Sequence, residues 1–512
     1  MSAPSIHSTT GTIASAYKKF AQNGRPDMDI VLENHDDGKV YTTFDALSGN
    51  VNITAPHEAR FDEIQITFEG VVKTAIDHMS PHAARSRTTA KHNFLKLVMP
   101  IKESDYPQPR IAEAGRTYTF PFNFVVPDQL LPKACAHNVV GDHVQHAHLQ
   151  LPPSMGDRSL SNKDDMAPDM ALVDYGVRVK VIRSREQDGK KMILAESLKK
   201  LHIIPASSEA PPMTIRDSDR DFVLSKTKSL KKGMFSGKLG KITVSTEQPS
   251  ALIVPSPTAA NATQPTTMAT VNLRFDPQNA SSQPPRLGGL TTKIRSTTFF
   301  ATKPSTDFPA HYTHQMQFDT SRGIYDTSVP INSRCVESVA WTKQCSSPAY
   351  SRRGSNTSTS SSDDYSSDNE YTSPAMDNNA YYTANILVPI TLPSSKHWIP
   401  SFQSCITSRT YCIDLSLTIH TPGTGVPAST VYLRVPVQIA ADGNNGRRPS
   451  ITAEEAAIEL AAQEAEEYLR PRVLEVPSED LVGRSVLGSV AMELPPSYDD
   501  FAPRQVVDPG RG

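Results

Sequence analysis

The chain has 512 residues, 41 of them proline and 25 glycine, and 38% of its side chains are apolar. Proline at about 8%, against a background of roughly 5%, argues against an all-helical protein, while the apolar content suffices for a sizeable core and argues against uniform disorder. Fifty-two Lys and Arg against 54 Asp and Glu leave a formal charge of −2, so no global field favours nucleic acid or an anionic membrane.

Residues 1–26 are polar, show no secretory signal and are expected to be a flexible N-terminus. No segment approaches 18 uninterrupted apolar residues, so no transmembrane helix is expected. The five cysteines, Cys135, Cys335, Cys345, Cys405 and Cys412, read as reduced thiols of a cytosolic protein.

The dominant periodicity is two. Ile64, Ile66 and Phe68 alternate with polar neighbours, the pattern of a half-buried strand. Tyr118, Phe120, Phe122, Phe124 and Val126 alternate more cleanly, and Pro121 inside that run predicts an edge strand or a bend. Val173, Tyr175, Val177, Val179 and Val181 repeat the pattern before a basic turn at 183–191. Strands of this kind separated by turns predict an antiparallel β-sandwich over 27–205, followed by a proline-bearing linker at 206–219.

Alternation resumes at Val271, Leu273 and Phe275, continues from Tyr411 to Ile419, and ends in an expected final strand from Val431 to Ile439. These predict a second all-β block over 220–441. Two stretches interrupt it. Residues 249–267 are rich in Pro, Thr and Ala, and 351–374 hold nine serines, three threonines and four acidic residues, so disordered inserts are expected near 249–267 and 346–379. The tail, 442–512, opens with capping-box spacing at Thr452-Ala-Glu-Glu455, which predicts an acidic helix over 452–470 ending at Pro471.

Catalytic signatures are scarce: the chain has no Gly-x-Ser-x-Gly elbow and no complete phosphate loop. One cluster concentrates ligating types: Cys135 and His137, then Asp142, His143, His146 and His148, within fourteen positions. On a strand His146 and His148 would share a face, as two metal ligands do. The spacing is looser than that of recognised structural zinc sites, so the residues read as ordinary imidazoles near strand ends. No metal ligand and no cofactor are assigned, and a metal-dependent enzyme built on this cluster stands as a remote alternative. Six lysines between Lys226 and Lys241 read as a lysine-protected edge strand, with contact to anionic lipid as the functional alternative. Ser361, Ser362, Ser366 and Ser367, each next to or near acidic residues, are candidates for phosphorylation.

The strongest short signal is Leu494-Pro495-Pro496-Ser497-Tyr498 in the tail. Paired prolines favour the left-handed polyproline helix, whose three residues per turn bring Pro495 and Tyr498 to one side. That is the Pro-Pro-x-Tyr arrangement read by WW domains.

Paired β blocks ahead of such a tail resemble the fungal α-arrestins, the arrestin-related trafficking adaptors. The resembling stretches are FDEIQITFEG at 61–70, PQPRIAEAGRTYTFPFNFVVPDQLLP at 107–132, LQLPPSMG at 149–156 and IPSFQSCITSRTYCIDLSLTI at 399–419. The resemblance implies arrestin-like N- and C-terminal sandwiches of immunoglobulin-like type and a non-enzymatic role. One end of such a protein recognises a plasma-membrane transporter or receptor. The tail recruits a HECT-type ubiquitin ligase through its WW domains, ubiquitin is transferred to the cargo, and the cargo is endocytosed. Pro495, Pro496 and Tyr498 carry over as the docking residues, with Leu494 as a flank. An arrestin-like signalling scaffold of the ambient-pH type is the alternative. The implied location is cytoplasmic, with peripheral recruitment to the plasma membrane and endosomes.

Overall fold

Alternating burial organises the strands. The computed structural model describes residues 26–443 apart from 37, 79–85, 186–188, 217–218, 234–236, 260–262, 312–318, 346–379 and 422–425. The Ser-rich segment, the expected helix over 452–470 and the Pro-Pro-x-Tyr motif lie outside the described residues.

The first part of the chain forms β1 (Asp27–Leu32), β2 (Val40–Tyr41), β3 (Ala46–Thr54), β4 (Ala59–Arg60), β5 (Glu63–His78), β6 (Ser86–Met99), β7 (Ile111–Ala112), β8 (Thr117–Val125), β9 (Ala171–Ser184) and β10 (Lys191–Ile203). Strands β1-β3-β8 make one sheet and β2-β10-β9-β5-β6 a second, while β4 and β7 pair separately. On β8, Phe120, Phe122 and Phe124 point inward while Thr119, Pro121 and Asn123 point out. Pro121 sits opposite Asn50 on a strand with a neighbour on one side only, the edge position its missing donor demands. Facing it, Phe68 of β5 and Tyr175 of β9 complete the layer, with ring centroids 6.0 Å from Phe68 to Phe124 and 6.1 Å from Phe68 to Tyr175. Each such ring stabilises by about 1.5–3 kcal/mol on burial. The buried Tyr175 hydroxyl donates to the Pro152 carbonyl at 2.6 Å, which removes the penalty of an unpaired phenol.

The second part forms β11 (Ser225–Lys231), β12 (Lys238–Thr246), β13 (Leu252–Val254), β14 (Thr266–Pro277), β15 (Arg286–Ala301), β16 (Arg322–Cys335), β17 (Thr342–Cys345), β18 (Ala380–Thr391), β19 (Phe402–Gln403), β20 (Thr407–His420), β21 (Ser429–Val437) and β22 (Ile439–Ala441). Sheet β11-β12-β14-β18-β17 faces sheet β16-β15-β20-β19, with β21 also paired to β20. Ile242, Val271, Leu273, Phe275 and Ile386 from the first meet Ile294, Ile413, Leu415, Leu417 and Val435 from the second in one core. On the outer face Asp414 joins β15 to β21, accepting from Arg295 Nη2 at 2.7 Å and from Arg434 Nε at 2.9 Å.

The chain is thus all-β, of sandwich type and mostly antiparallel. Two short parallel pairings depart from the expected pattern, β2 with β10 and β13 with β22. The second corrects the expectation for 249–267: Leu252, buried, pairs opposite Ile439, and Thr266 and Thr267 already belong to β14. The expected final strand also divides at Gln438, where the chain leaves β20 and turns to meet β13. Among the described residues no ladder joins a strand before 204 to one after 224. Side chains and backbone bridge the two sets instead. Phe300, Ile399, Phe402, Cys405 and Ile406 of the later strands and turns pack into the core built by β1–β10. Thr74 Oγ1 donates to the Ala301 carbonyl at 2.6 Å, and Val140 N donates to Thr306 O at 2.9 Å. None of the described helices is long and apolar enough to cross a membrane.

Candidate functional site

The residues between β8 and β9 do not continue the sandwich pattern. They form a 3-10 turn, Pro132–Cys135, and one short helix, α1 (Asp142–His148). Pro132 opens the turn, where its missing N–H is no loss. This geometry overturns the expectation that His146 and His148 share a strand face, since positions two apart on a helix point in different directions. His148 turns inward and is 2% exposed, while His146 points outward toward Gln150. His143 also leaves the cluster, its ring edge-on to Phe308 with centroids 5.6 Å apart.

What gathers instead is Cys135, His137, His148 and Cys405, whose ligand atoms all lie within 4.8 Å of one another. Sγ of Cys135 stands 3.4 Å from Nε2 of His137 and 3.6 Å from Nδ1 of His148. The two rings lie 5.4 Å apart at 42°. Cys405, in the turn between β19 and β20, donates its S–H to the Ala134 carbonyl at 3.7 Å. Both cysteines and His148 are buried, and His137 is half-buried. Burial, with the neighbouring Cys135, pushes the Cys405 thiol up to about 12. Burial, with His137 and His92 nearby, holds His148 down to about 4. Metal-free, these two are therefore a neutral thiol, which must lose its proton before it can bind a cation, and a neutral imidazole.

Cys405 is the residue the sequence could not supply. It lies 270 positions from Cys135, and no local spacing connects them. The other cysteines stand elsewhere: Cys335 and Cys345 are exposed, and Cys412 is buried on β20 with its thiol pushed up to about 12 by desolvation.

A second polar feature is a cleft lined by two histidines. His202 of β10 and His397 of the segment before β19 face each other with ring centroids 5.0 Å apart, among Asp157, Arg158, Lys163 and Asp165. Nδ1 of His202 and Nε2 of His397 find no hydrogen-bond partner among the described residues.

The lysine-rich stretch forms the hairpin β11–β12, and β11 is an edge strand of its sheet. Lys226, Lys231, Lys232, Lys238 and Lys241 are exposed, while Lys228 is half-buried and donates to Thr430 O at 3.2 Å. Leu494, Pro495, Pro496 and Tyr498, and the candidate phosphorylation sites Ser361, Ser362, Ser366 and Ser367, lie outside the described residues. No family model matches the chain, and no curated protein matches it.

Proposed function

We propose that this chain is a non-enzymatic adaptor of the α-arrestin kind, which brings a WW-domain, HECT-type ubiquitin ligase to plasma-membrane transporters or receptors and so promotes their ubiquitination and endocytosis. The observation that carries this reading is Pro495-Pro496-Ser497-Tyr498 appended to a β-sandwich protein. A polyproline turn presents Pro495 and Tyr498 together, and a rigid, low-entropy ligand of that form suits an aromatic-lined groove. Leu494 flanks the motif and adds apolar surface.

The rest of the chain supports the assignment of a scaffold. Two packed cores give large faces and turn clusters at their ends, the usual places for partner recognition on such folds. The exposed lysines of β11–β12 form a basic strip suited to anionic headgroups when the adaptor works at a membrane. A cytoplasmic protein recruited peripherally to the plasma membrane and endosomes fits this role. One copy of the motif gives modest affinity, so a second contact between ligase and cargo is expected to strengthen assembly.

The test is pull-down of the full chain by isolated WW domains. Tyr498→Ala is expected to abolish capture while leaving the denaturation midpoint unchanged. Undiminished capture by the Tyr498→Ala chain overturns the docking assignment. Proximity labelling of both forms in parallel then separates ligase from cargo: partners lost with Tyr498 are on the ligase side, and partners retained are cargo.

A further inference from the structure

We propose that Cys135, His137, His148 and Cys405 form a closed structural zinc site that ties the connection between β8 and β9 to the turn entering β20. The donor set is two thiols and two imidazoles, the soft, mixed sulfur and nitrogen set that zinc takes in tetrahedral sites. With Zn–S near ~2.3 Å and Zn–N near ~2.0–2.1 Å, tetrahedral ligand atoms stand roughly 3.3–3.8 Å apart. The two sulfur–nitrogen separations at Cys135, 3.4 and 3.6 Å, already fall there. The remaining separations are capped at 4.8 Å, so closure asks for shifts of roughly 1 Å at most.

The surroundings orient one of the imidazoles. Nδ1 of His137 lies 3.1 Å from the Asn138 carbonyl, and donation there leaves the Nε2 lone pair facing the Cys135 sulfur. That outer hydrogen bond is the device by which metal-bound imidazoles are oriented. Loading is a proton exchange with no change of redox state. Two S–H bonds break, two Zn–S bonds form, two protons leave to solvent, and two imidazole lone pairs complete the shell. One divalent ion with two thiolates sums to zero net charge, which a buried pocket tolerates and a lone dication does not.

Four protein donors leave no open position, so the ion would be structural rather than catalytic. Its placement says what it would hold. Three ligands come from the β8–β9 connection, and the fourth comes from a turn 270 residues later. The same seam carries the Cys405 S–H donating to Ala134 O at 3.7 Å and Val140 N donating to Thr306 O at 2.9 Å. A metal there closes a very long loop at one point and fixes the α1 segment against the later strands.

The experiment uses the full chain, expressed in a reducing cytosol and purified without chelator. Elemental analysis is expected to find about one zinc per chain, falling at least about tenfold in Cys135→Ser and in Cys405→Ser. His143→Ala and His146→Ala are expected to keep the metal. Cobalt exchanged into the wild-type chain is expected to give the intense visible bands of tetrahedral sulfur–nitrogen coordination, a readout that needs no variant to fold. Wild-type protein that carries no zinc and takes up no cobalt overturns the proposal. So does a Cys135–Cys405 disulfide in protein quenched with a thiol-blocking reagent, which would make the pair a redox element, and so does full zinc retention in both Cys→Ser variants.

Discussion

Arg409 of β20 donates from Nη1 to the backbone carbonyl of Asp165 at 2.9 Å, joining the later strands to the β8–β9 connection through a side chain with no solvent exposure. The same nitrogen reaches Ser296 Oγ at 2.8 Å, and Nη2 points at Met155 Sδ at 3.3 Å. The guanidinium also lies 5.9 Å from the Tyr411 ring centroid. Among the described residues its Nε finds no partner, so the cation is incompletely compensated.

That guanidinium carries the first prediction. Arg409→Ala leaves a cavity and strands the Asp165 carbonyl and the Ser296 hydroxyl, costing about 2–4 kcal/mol in urea unfolding. Arg409→Met fills most of the volume but strands the same two oxygens, so it is expected to recover the cavity part of the loss and stay about 1–2 kcal/mol below wild type. If Arg409→Met is as damaged as Arg409→Ala, the guanidinium's hydrogen bonds and charge, not its volume, hold the seam.

His202 makes the second prediction, one of acid sensitivity. Burial, then the neighbouring His397, holds its pKa down to about 4, with Asp165 and Asp157 pulling the other way. His397 is lowered by burial as well, with Asp165 opposing and Lys163 assisting. The unfolded imidazole titrates near ~6.5, so between the two values the unfolded chain binds the proton and the folded chain does not. Stability is therefore full above about pH 6.5 and is lost as the pH falls toward 4, by up to about 3 kcal/mol for a buried group with this shift. His202→Gln keeps a polar side chain without the titration. Its unfolding midpoint is expected to change less than that of wild type between pH 7.5 and 5, and equal slopes would remove His202 as the source.

Gly49 supplies the third. It sits in β3 opposite Leu32 on one side and Phe122 on the other. A Cβ there would lie 2.1 Å from the Val31 carbonyl oxygen and 2.8 Å from the Phe122 ring. The obstacle on the β1 side is backbone, which cannot rotate away. Gly49→Ala is expected to destabilise by about 2–3 kcal/mol and to expose amides of β1 to hydrogen exchange first. Uniform exchange across β1 and β9 would show that the strain is absorbed elsewhere.

How far the sequence revealed this structure depends on how local each signal is. Phe120, Phe122 and Phe124 announced their strand because burial on one face and solvent on the other is a local pattern. The alternation at Ile64–Phe68 faded within β5 because residues of both parities, Thr67 and Phe68, then Val71, Val72, Thr74 and Ala75, are buried along this central strand, leaving Lys73 and Asp77 as its exposed points. Leu252–Val254 hid inside a Pro- and Thr-rich stretch because three residues pairing with Ile439–Ala441 form a contact that only the folded chain creates. The Cys/His cluster was half legible. Cys135, His137 and His148 were adjacent enough to notice, yet the helix rotated His146 away and the fourth donor came from Cys405. Pro495-Pro496-Ser497-Tyr498 lies outside the described residues, and its proposed reading rests on the local sequence alone, since polyproline recognition needs no tertiary partner.

Lys228 carries the last prediction, which concerns β11, an edge strand of its sheet whose lead-in residue Val223 bridges Arg434 of β21. Its neighbour two places on, Leu230, is buried in the core, so Lys228 points toward the same inner face and stretches to Thr430 O on β21. An inward-pointing charge at an edge strand blocks a second sheet from adding there, because pairing would trap the ammonium away from water. The pairing also breaks register after Leu230, where Leu239 of the partner strand β12 is the extra residue, so the ladder under this edge is irregular at its end. Lys228→Val removes the charge while preserving strand propensity, and is expected to promote self-association at concentrations where the wild type stays dispersed. Lys226→Val, changed on an exposed side chain of the same strand, is the control and is expected to act more weakly. Sedimentation velocity across a concentration series reads both. Equal self-association of the two variants would mean that net charge, not the inward lysine, guards the edge.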